Sequence, residues 1–454
     1  MPDHSPHERI GRRLVAPLCV GAMANPINST MIAPALTSIG RELGTGAGAT
    51  LWLVAAMYMA SALGQPLAGR LSDVLGPRRV FRAGAVLVAV SGVVGALGTS
   101  LGVLIAARVL VGLGTAAAYP SALTMIRDRA RVLGLPEPAG ALRALTATSL
   151  LTLTLGPGLG GLLVPWSGWR ATFLANVVLG LLTLALSLGA LPRDRQWGPV
   201  PWSRLDLPGV ALFGAAIGLL MAFLMSLPTP NWLVLSGAVA VGVLLVAVEF
   251  RTRSAFLDVR MIARNRPVAA TYLRFVLTFT VIYAVLFGYT QWLEQVRGLS
   301  AAASGAVMLL LSGVGAVLAL STGRCRSIRA PMLIGTAGML AGSLAVVVVD
   351  ATAPFAVLIL VPTLFGFPQG LNSVTNQLAV YRQAPAGELG TATGLSRTAQ
   401  YLGAMLATGL LALAYGEQAT DEGLAVLGTV SAGIAGVLLL LTALDRSLKA
   451  HSAG

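Results

Sequence analysis

Residues 69–79 read Gly69-Arg70-Leu71-Ser72-Asp73-Val74-Leu75-Gly76-Pro77-Arg78-Arg79, a short basic turn between apolar blocks at 51–69 and 81–101. Apolar blocks of roughly 18 to 25 residues are long enough to carry an α-helix across about 30 Å of hydrocarbon. Glycines at 69 and 76 let two such helices turn back closely, so this stretch reads as a membrane hairpin closed by a tight, charged turn.

Working outward, the same pattern fills the chain. Blocks fall at roughly 14–38, 51–69, 81–101, 103–125, 142–165, 171–191, 208–227, 231–249, 268–291, 301–321, 331–349, 353–376, 391–415 and 423–443, which predicts fourteen transmembrane helices. The 454 residues are 56% hydrophobic and 11% charged, against roughly a quarter charged in soluble domains. Backbone groups in lipid must be paired internally, and blocks this long and uniformly apolar achieve that as helices; a barrel would alternate polar and apolar residues. The expectation is an all-α polytopic membrane protein.

The net charge of +14 comes almost wholly from Arg, Lys449 being the only lysine. With a cytoplasmic N-terminus and an even helix count, 26 of the 31 basic residues fall on the cytoplasmic side. Arg41, Arg170 and Arg297 fall outside, and Arg108 and Arg274 within helices. That asymmetry predicts a multi-pass protein with both termini in the cytoplasm and a lipid bilayer, not nucleic acid, as its partner. The first block is too long for a signal peptide and lacks a clear cleavage site. Cys19 and Cys325 imply no disulfide framework, and His4, His7 and His451 lie in the tails, so no metal or cofactor is expected. There is no phosphate-cradling loop or nucleophile elbow, which argues against an enzyme.

The turn at Gly69, Arg70, Asp73, Gly76, Arg78 and Arg79 resembles the signature loop of the major facilitator superfamily, in which it acts in gating. Arg108-Val-Leu-Val-Gly112-Leu-Gly114 is similar to that family's second motif. Leu155-Gly156-Pro157-Gly158-Leu159-Gly160-Gly161 resembles its antiporter motif, with Gly156, Pro157, Gly160 and Gly161 as the core. Trp169-Arg170-Ala171-Thr172-Phe173-Leu174-Ala175-Asn176-Val177 resembles the start of the sixth helix in the fourteen-helix drug/proton antiporter branch. The resemblance implies a major facilitator fold: a six-helix bundle over 1–192, a linker over 193–265 with two extra helices, and a second six-helix bundle over 266–454; the alternation of Arg with Phe256, Leu257, Met261 and Ile262 reads as a cytoplasmic amphipathic segment or equally as an ordinary basic loop. The second-half counterpart of the signature loop, Gly323-Arg324-Cys325-Arg326, has no acid matching Asp73.

The chain departs from that branch at Asn28, where an aspartate is usual. An amide does not titrate near neutral pH. None of the 17 acids falls near the middle of a predicted span; Glu294 comes nearest, with Arg297 close enough to pair with it locally. Polar residues at membrane depth form the candidate cavity: Asn25 and Asn28 with Ser29, Gln65, Arg108, Tyr119, Tyr283, Tyr289, Gln291, Gln369, Asn372 and Asn376. For any one amide, hydrogen bonding between helices is an equal alternative to substrate contact. Amides, tyrosines and one Arg without acids favour neutral or anionic amphiphiles over lipophilic cations.

The resemblance thus implies a monomeric exporter of drugs or natural products in the plasma membrane, working by alternating access and driven by protons, with Arg108 and Glu294 as coupling candidates. Two rivals stand beside it: a proton-independent facilitator or exchanger of an organic anion or lipid-like molecule, and a membrane receptor or assembly partner that no longer transports.

Overall fold

The computed structural model describes residues 11–133, 139–192, 194, 206–227, 229–252, 256–257, 259–322, 328–384 and 389–448. The tails with His4, His7 and His451, most of 193–205, and Gly323 to Arg326 lie outside the described residues. What is described is helix and turn, with no strand. Among the described residues, twelve helices are long and apolar enough to cross a membrane.

The chain begins with α1 (Arg12–Thr30), a short 3₁₀ turn at Ala33–Ala35 and α2 (Leu36–Leu43). It continues through α3 (Ala47–Leu75), α4 (Pro77–Ala96), α5 (Leu101–Ala116), α6 (Ala118–Val132), α7 (Ala139–Ser167) and α8 (Arg170–Ala190). The intervening pair is α9 (Leu207–Met225) and α10 (Trp232–Glu249), followed by the short α11 (Val259–Arg264). The remainder is α12 (Arg266–Gln295), α13 (Ala301–Thr322), α14 (Arg329–Val348), α15 (Phe355–Phe367), α16 (Ser373–Gln383), α17 (Leu389–Tyr415) and α18 (Asp421–Leu444).

Local chemistry explains the breaks. Gly76 takes φ 94°, a conformation costly for any residue with a Cβ, and ends α3; Pro77 then opens α4, where its missing N–H is no loss. α5 and α6 form one span, Leu101–Val132, interrupted at Ala117. A π turn at Pro368–Asn372 joins α15 to α16, because Pro368 offers no N–H to continue the α-helical ladder.

Call the end of the bundle holding the α3–α4 turn the basic end, and the other the far end. At the far end one apolar cluster runs through both halves of the chain, joining Leu36, Ile39, Leu51 and Val54 to Leu286, Trp292, Leu293 and Met308. Toward the basic end separate clusters form, one around Leu18, Phe81, Ile126 and Leu145 and another around Ile328, Met332 and Ala379. The far end is also stitched by backbone: Ala47 N–H donates to the Glu417 carbonyl (2.7 Å) and Gly48 N–H to the Gly416 carbonyl (2.9 Å).

Arg274, buried in α12, forms an ion pair with Asp445 just beyond α18 and donates to Thr271 Oγ1 (3.0 Å). Removing one member of such a pair leaves an uncompensated charge, at a cost of about 3–5 kcal/mol. Asp445→Ala should therefore lower the melting temperature in detergent, and Arg274→Met combined with Asp445→Ala should lower it less than the single change does.

Candidate substrate cavity

α1 stops inside the bundle because Pro34 has no N–H for the Thr30 carbonyl, so the last carbonyls of α1 need partners from elsewhere. Arg108 of α5 is one: a terminal nitrogen donates to the Asn28 carbonyl (3.0 Å) and to Met57 Sδ (2.9 Å), and Nε donates to the Leu53 carbonyl (2.8 Å). Tyr58 of α3 is another, its hydroxyl donating to the Ser29 carbonyl (3.0 Å). A cation at the negative end of a helix is also favoured by the helix dipole. Arg108 is 2% exposed, so its charge is solvated by the protein.

The Asn28 side chain points the other way. Its amide donates to the Ala24 carbonyl (2.9 Å) and to Asn176 Oδ1 of α8 (2.6 Å). Asn25, one turn earlier, donates to Thr115 Oγ1 (3.0 Å) and Ser61 Oγ (3.4 Å) and accepts from the hydroxyl of Tyr401 (3.0 Å), which comes from α17. Gln65 donates to the same hydroxyl (3.2 Å). Tyr401 thus ties α1 and α3 to the second half of the chain at mid-depth. Around it the Tyr58 ring meets Tyr283 (5.1 Å between centroids), Tyr401 (6.0 Å) and Phe287 (6.4 Å).

The other expected residues divide. Tyr119 sits apart from Arg108, under the guanidinium of Arg397 (5.0 Å to the ring centroid). Arg397, which the charge count assigned to the cytoplasmic side, lies inside α17. Tyr289 stacks on Trp292 and donates to the Leu358 carbonyl (3.2 Å), packing within the second half. Asn372 packs against Gly335 and donates to Thr336 Oγ1 (3.0 Å), and Gln369 lies on Gly315. Gln291 and Asn376 are each 1% exposed, and among the described residues neither atom of either amide has a partner. A buried unpaired amide costs about 1–3 kcal/mol, so both sites call for water or a ligand. Glu294 accepts from Ser304 Oγ (2.6 Å) and faces Thr37 and Arg41 of the first half; Arg297 instead donates to the Ala351 carbonyl. No group of three His, Cys, Asp or Glu suited to a metal occurs among the described residues.

In the signature loop, the carboxylate that receives the N-terminus of α4 is Asp194, which accepts from Arg78 N–H (3.0 Å) and Arg79 N–H (3.2 Å). Asp73 lies within electrostatic reach of Arg70 and Asp128. Arg70 stands over the ring of Phe256, next to the extra helix pair (5.9 Å). The antiporter motif is a two-sided contact. Gly156 and Gly160 press on Thr30 and Met31 at the end of α1, while Gly158 and Gly161 press on Leu309 and on Ala301 and Gly305 of α13. Trp169 and Arg170 at the start of α8 both bind Glu42 at the end of α2, through Nε1 (2.6 Å) and a guanidinium nitrogen (2.6 Å).

A helical bundle of membrane spans closed at one end, with a polar seam between its halves, defines a membrane transporter. The profile of the Major Facilitator Superfamily matches residues 18–408, and the chain belongs to that superfamily; it is a transporter, not an enzyme. Its relatives include the uncharacterized MFS-type transporter YwoD of Bacillus subtilis, 31% identical over 93% of this chain and 94% of that one. The tetracenomycin C resistance and export protein of Streptomyces glaucescens is 29% identical over 89% and 76%. Among solved structures, the peptide transporter POT in complex with sulfate superposes with a TM-score of 0.68 at 16% identity over 96% of each chain, a likeness of fold.

Two outcomes follow. Arg108→Ala orphans the Asn28 carbonyl in the last turn of α1, at about 1–3 kcal/mol, and should lower thermal stability more than Tyr401→Phe, whose ring packing survives. The Glu42 carboxyl is held below its ordinary value, first by Arg170 and then by Trp169. A depressed carboxyl contributes stability above its unfolded value and loses that contribution as pH falls through the folded one. Melting temperature should drop on acidification from about pH 4.5 more steeply in the wild type than in Glu42→Gln.

Proposed function

We propose that this chain is a secondary active exporter of small amphiphilic molecules, working by alternating access. The observation that carries the reading is the asymmetry of the core: the halves share apolar packing at the far end and keep separate clusters toward the basic end. That is the geometry expected of one state of a rocking cycle about a central site. The relative whose name records tetracenomycin C resistance and export supports an outward direction. In this reading α1 and α7 complete fourteen spans, with 1–192 and 266–454 as the two rocking bundles and 193–265 as the linker. The basic end faces the cytoplasm of a plasma-membrane protein, following the distribution of Arg. Asp73, Arg78 and Arg79 bias the side that opens.

Proton drive is part of the proposal. Glu294 is its candidate carrier, since its carboxylate lies on the seam against Thr37 and Arg41. The rival, a facilitator running on the substrate's own gradient, is favoured by Asn28, whose amide is bonded as a donor where a titratable acid would serve coupling. Proteoliposomes holding a pH-sensitive dye decide between them. Substrate-dependent proton flux that is lost in Glu294→Gln supports antiport, and substrate movement without proton flux supports the facilitator.

Alternating access has its own test. A Cβ built on Gly46 lies 3.3 Å from the Glu417 Cβ, close to the separation a disulfide needs. In a background with Cys19→Ser and Cys325→Ser, oxidised Gly46→Cys/Glu417→Cys should stop transport, and reductant should restore it. Undiminished transport by the cross-linked protein would refute the rocking cycle.

A further inference from the structure

Three arginines stand about two turns or more inside their helices: Arg108 in α5, Arg274 in α12 and Arg397 in α17. Arg108 donates to two backbone carbonyls and a thioether sulfur, and Arg274 is neutralised by Asp445. Arg397 differs from both. Among the described residues its guanidinium has one partner, the face of the Tyr119 ring, and that contact uses none of its five N–H donors. Tyr119 belongs to α6 and Arg397 to α17, so the charge sits on the seam between the halves. Tyr401 follows one turn later on the same face of α17 and joins the rings of Tyr58, Tyr283 and Phe287. Beside Arg397, the buried Thr398 hydroxyl also lacks a partner.

A planar guanidinium with free donors matches an oxyanion better than any neutral group, and a charge-assisted bond is strongest where water is scarce. A ring face satisfies none of those donors, and Arg397 is only partly buried, so the guanidinium stays open to an anion. The neighbouring rings of Tyr58, Tyr283 and Tyr401 are buried and packed on one another, which keeps the surroundings of the guanidinium apolar.

We propose that Arg397, rather than Arg108, sets the charge preference of the seam: it receives the carboxylate, sulfonate or phosphate of an amphiphilic anion. This rests on the reading of the seam as a substrate site. It makes lipophilic cations poor substrates, since the same guanidinium repels them.

The test is binding of 2-naphthoate, 2-naphthamide and 2-naphthylmethylammonium to the full chain in phosphatidylcholine nanodiscs. The wild type should bind naphthoate at least about tenfold more tightly than the amide, and the cation most weakly. Arg397→Gln should abolish the preference for the anion while keeping amide affinity within about twofold, and Arg397→Lys should restore part of it. No saturable naphthoate binding to the wild type, a preference that persists in Arg397→Gln, or equal loss of both probes in that variant would each overturn the proposal. Repeating the titration with phosphatidylglycerol in the discs separates two sources of the same chemistry: competition at the Arg397-dependent site assigns it to a lipid headgroup, and no competition to a free solute. A protein that binds naphthoate in this way yet exports nothing in vesicles retracts the export reading and leaves the anion site standing.

Discussion

A guanidinium two turns deep in a membrane helix has to be solvated by protein, and Arg108 meets that demand by serving as the C-terminal cap of α1. The arrangement depends on α1 ending early. Pro34 terminates it inside the bundle, where its last carbonyls would otherwise be orphaned. Helix end and charge thus answer each other's need, which fixes α5 against α1 and α3. The side chains of Asn25 and Asn28 are then free to turn toward Tyr401 and Asn176. The polar seam is built outward from that one cap.

Glycine sets the second constraint, the closeness of the halves at the far end. In the Gly156–Gly161 stretch one side of α7 fits the end of α1 and the other fits α13, each without a Cβ in the way. A helix that presents glycines to its own bundle and to the opposite one lets both approach its backbone closely. Pro157, whose carbonyl faces Gly305, removes one hydrogen bond at the same level and eases bending there.

The apolar blocks, the turn at residues 69–79 and the glycine motif were legible in the amino-acid order, because each is local: a helix length, a reversal, a spacing. Identities of partners were not. Asp73 has the right sequence position to receive the α4 N-terminus, yet Asp194 holds that place from more than a hundred residues away. Tyr58, Tyr401 and Asn176 carry the seam, but one tyrosine or asparagine among apolar neighbours looks the same whether it faces lipid, another helix or a cavity. Asn372 and Gln369 share the polar pattern of Asn376 and instead pack on Gly335 and Gly315. The π turn that rotates them relative to one another is invisible to a count based on 3.6 residues per turn. The block at 391–415 already holds Arg397 within a helix although the charge count put it on the cytoplasmic side, and what the order of residues leaves out is its partner, the Tyr119 ring of α6.

The extra helix pair is joined to this machinery rather than hung beside it. α9 packs on α3 through Leu63 and Gly214, and on α17 through Leu224 and Gly409, so it lies along the seam between the halves. Its N-terminus is held by Asp206, which takes φ 46° and accepts both the Gly209 N–H (3.2 Å) and the Phe256 N–H (2.7 Å). Glu249, at the end of α10, accepts from Leu257 N–H (3.3 Å). Two carboxylates therefore pin the chain's return to the base of the pair, and Arg70 stacks over the residue they pin. The pair thus touches both the signature loop, through Arg70 and Phe256, and the helices of the seam, through Gly214, Leu224 and Gly409.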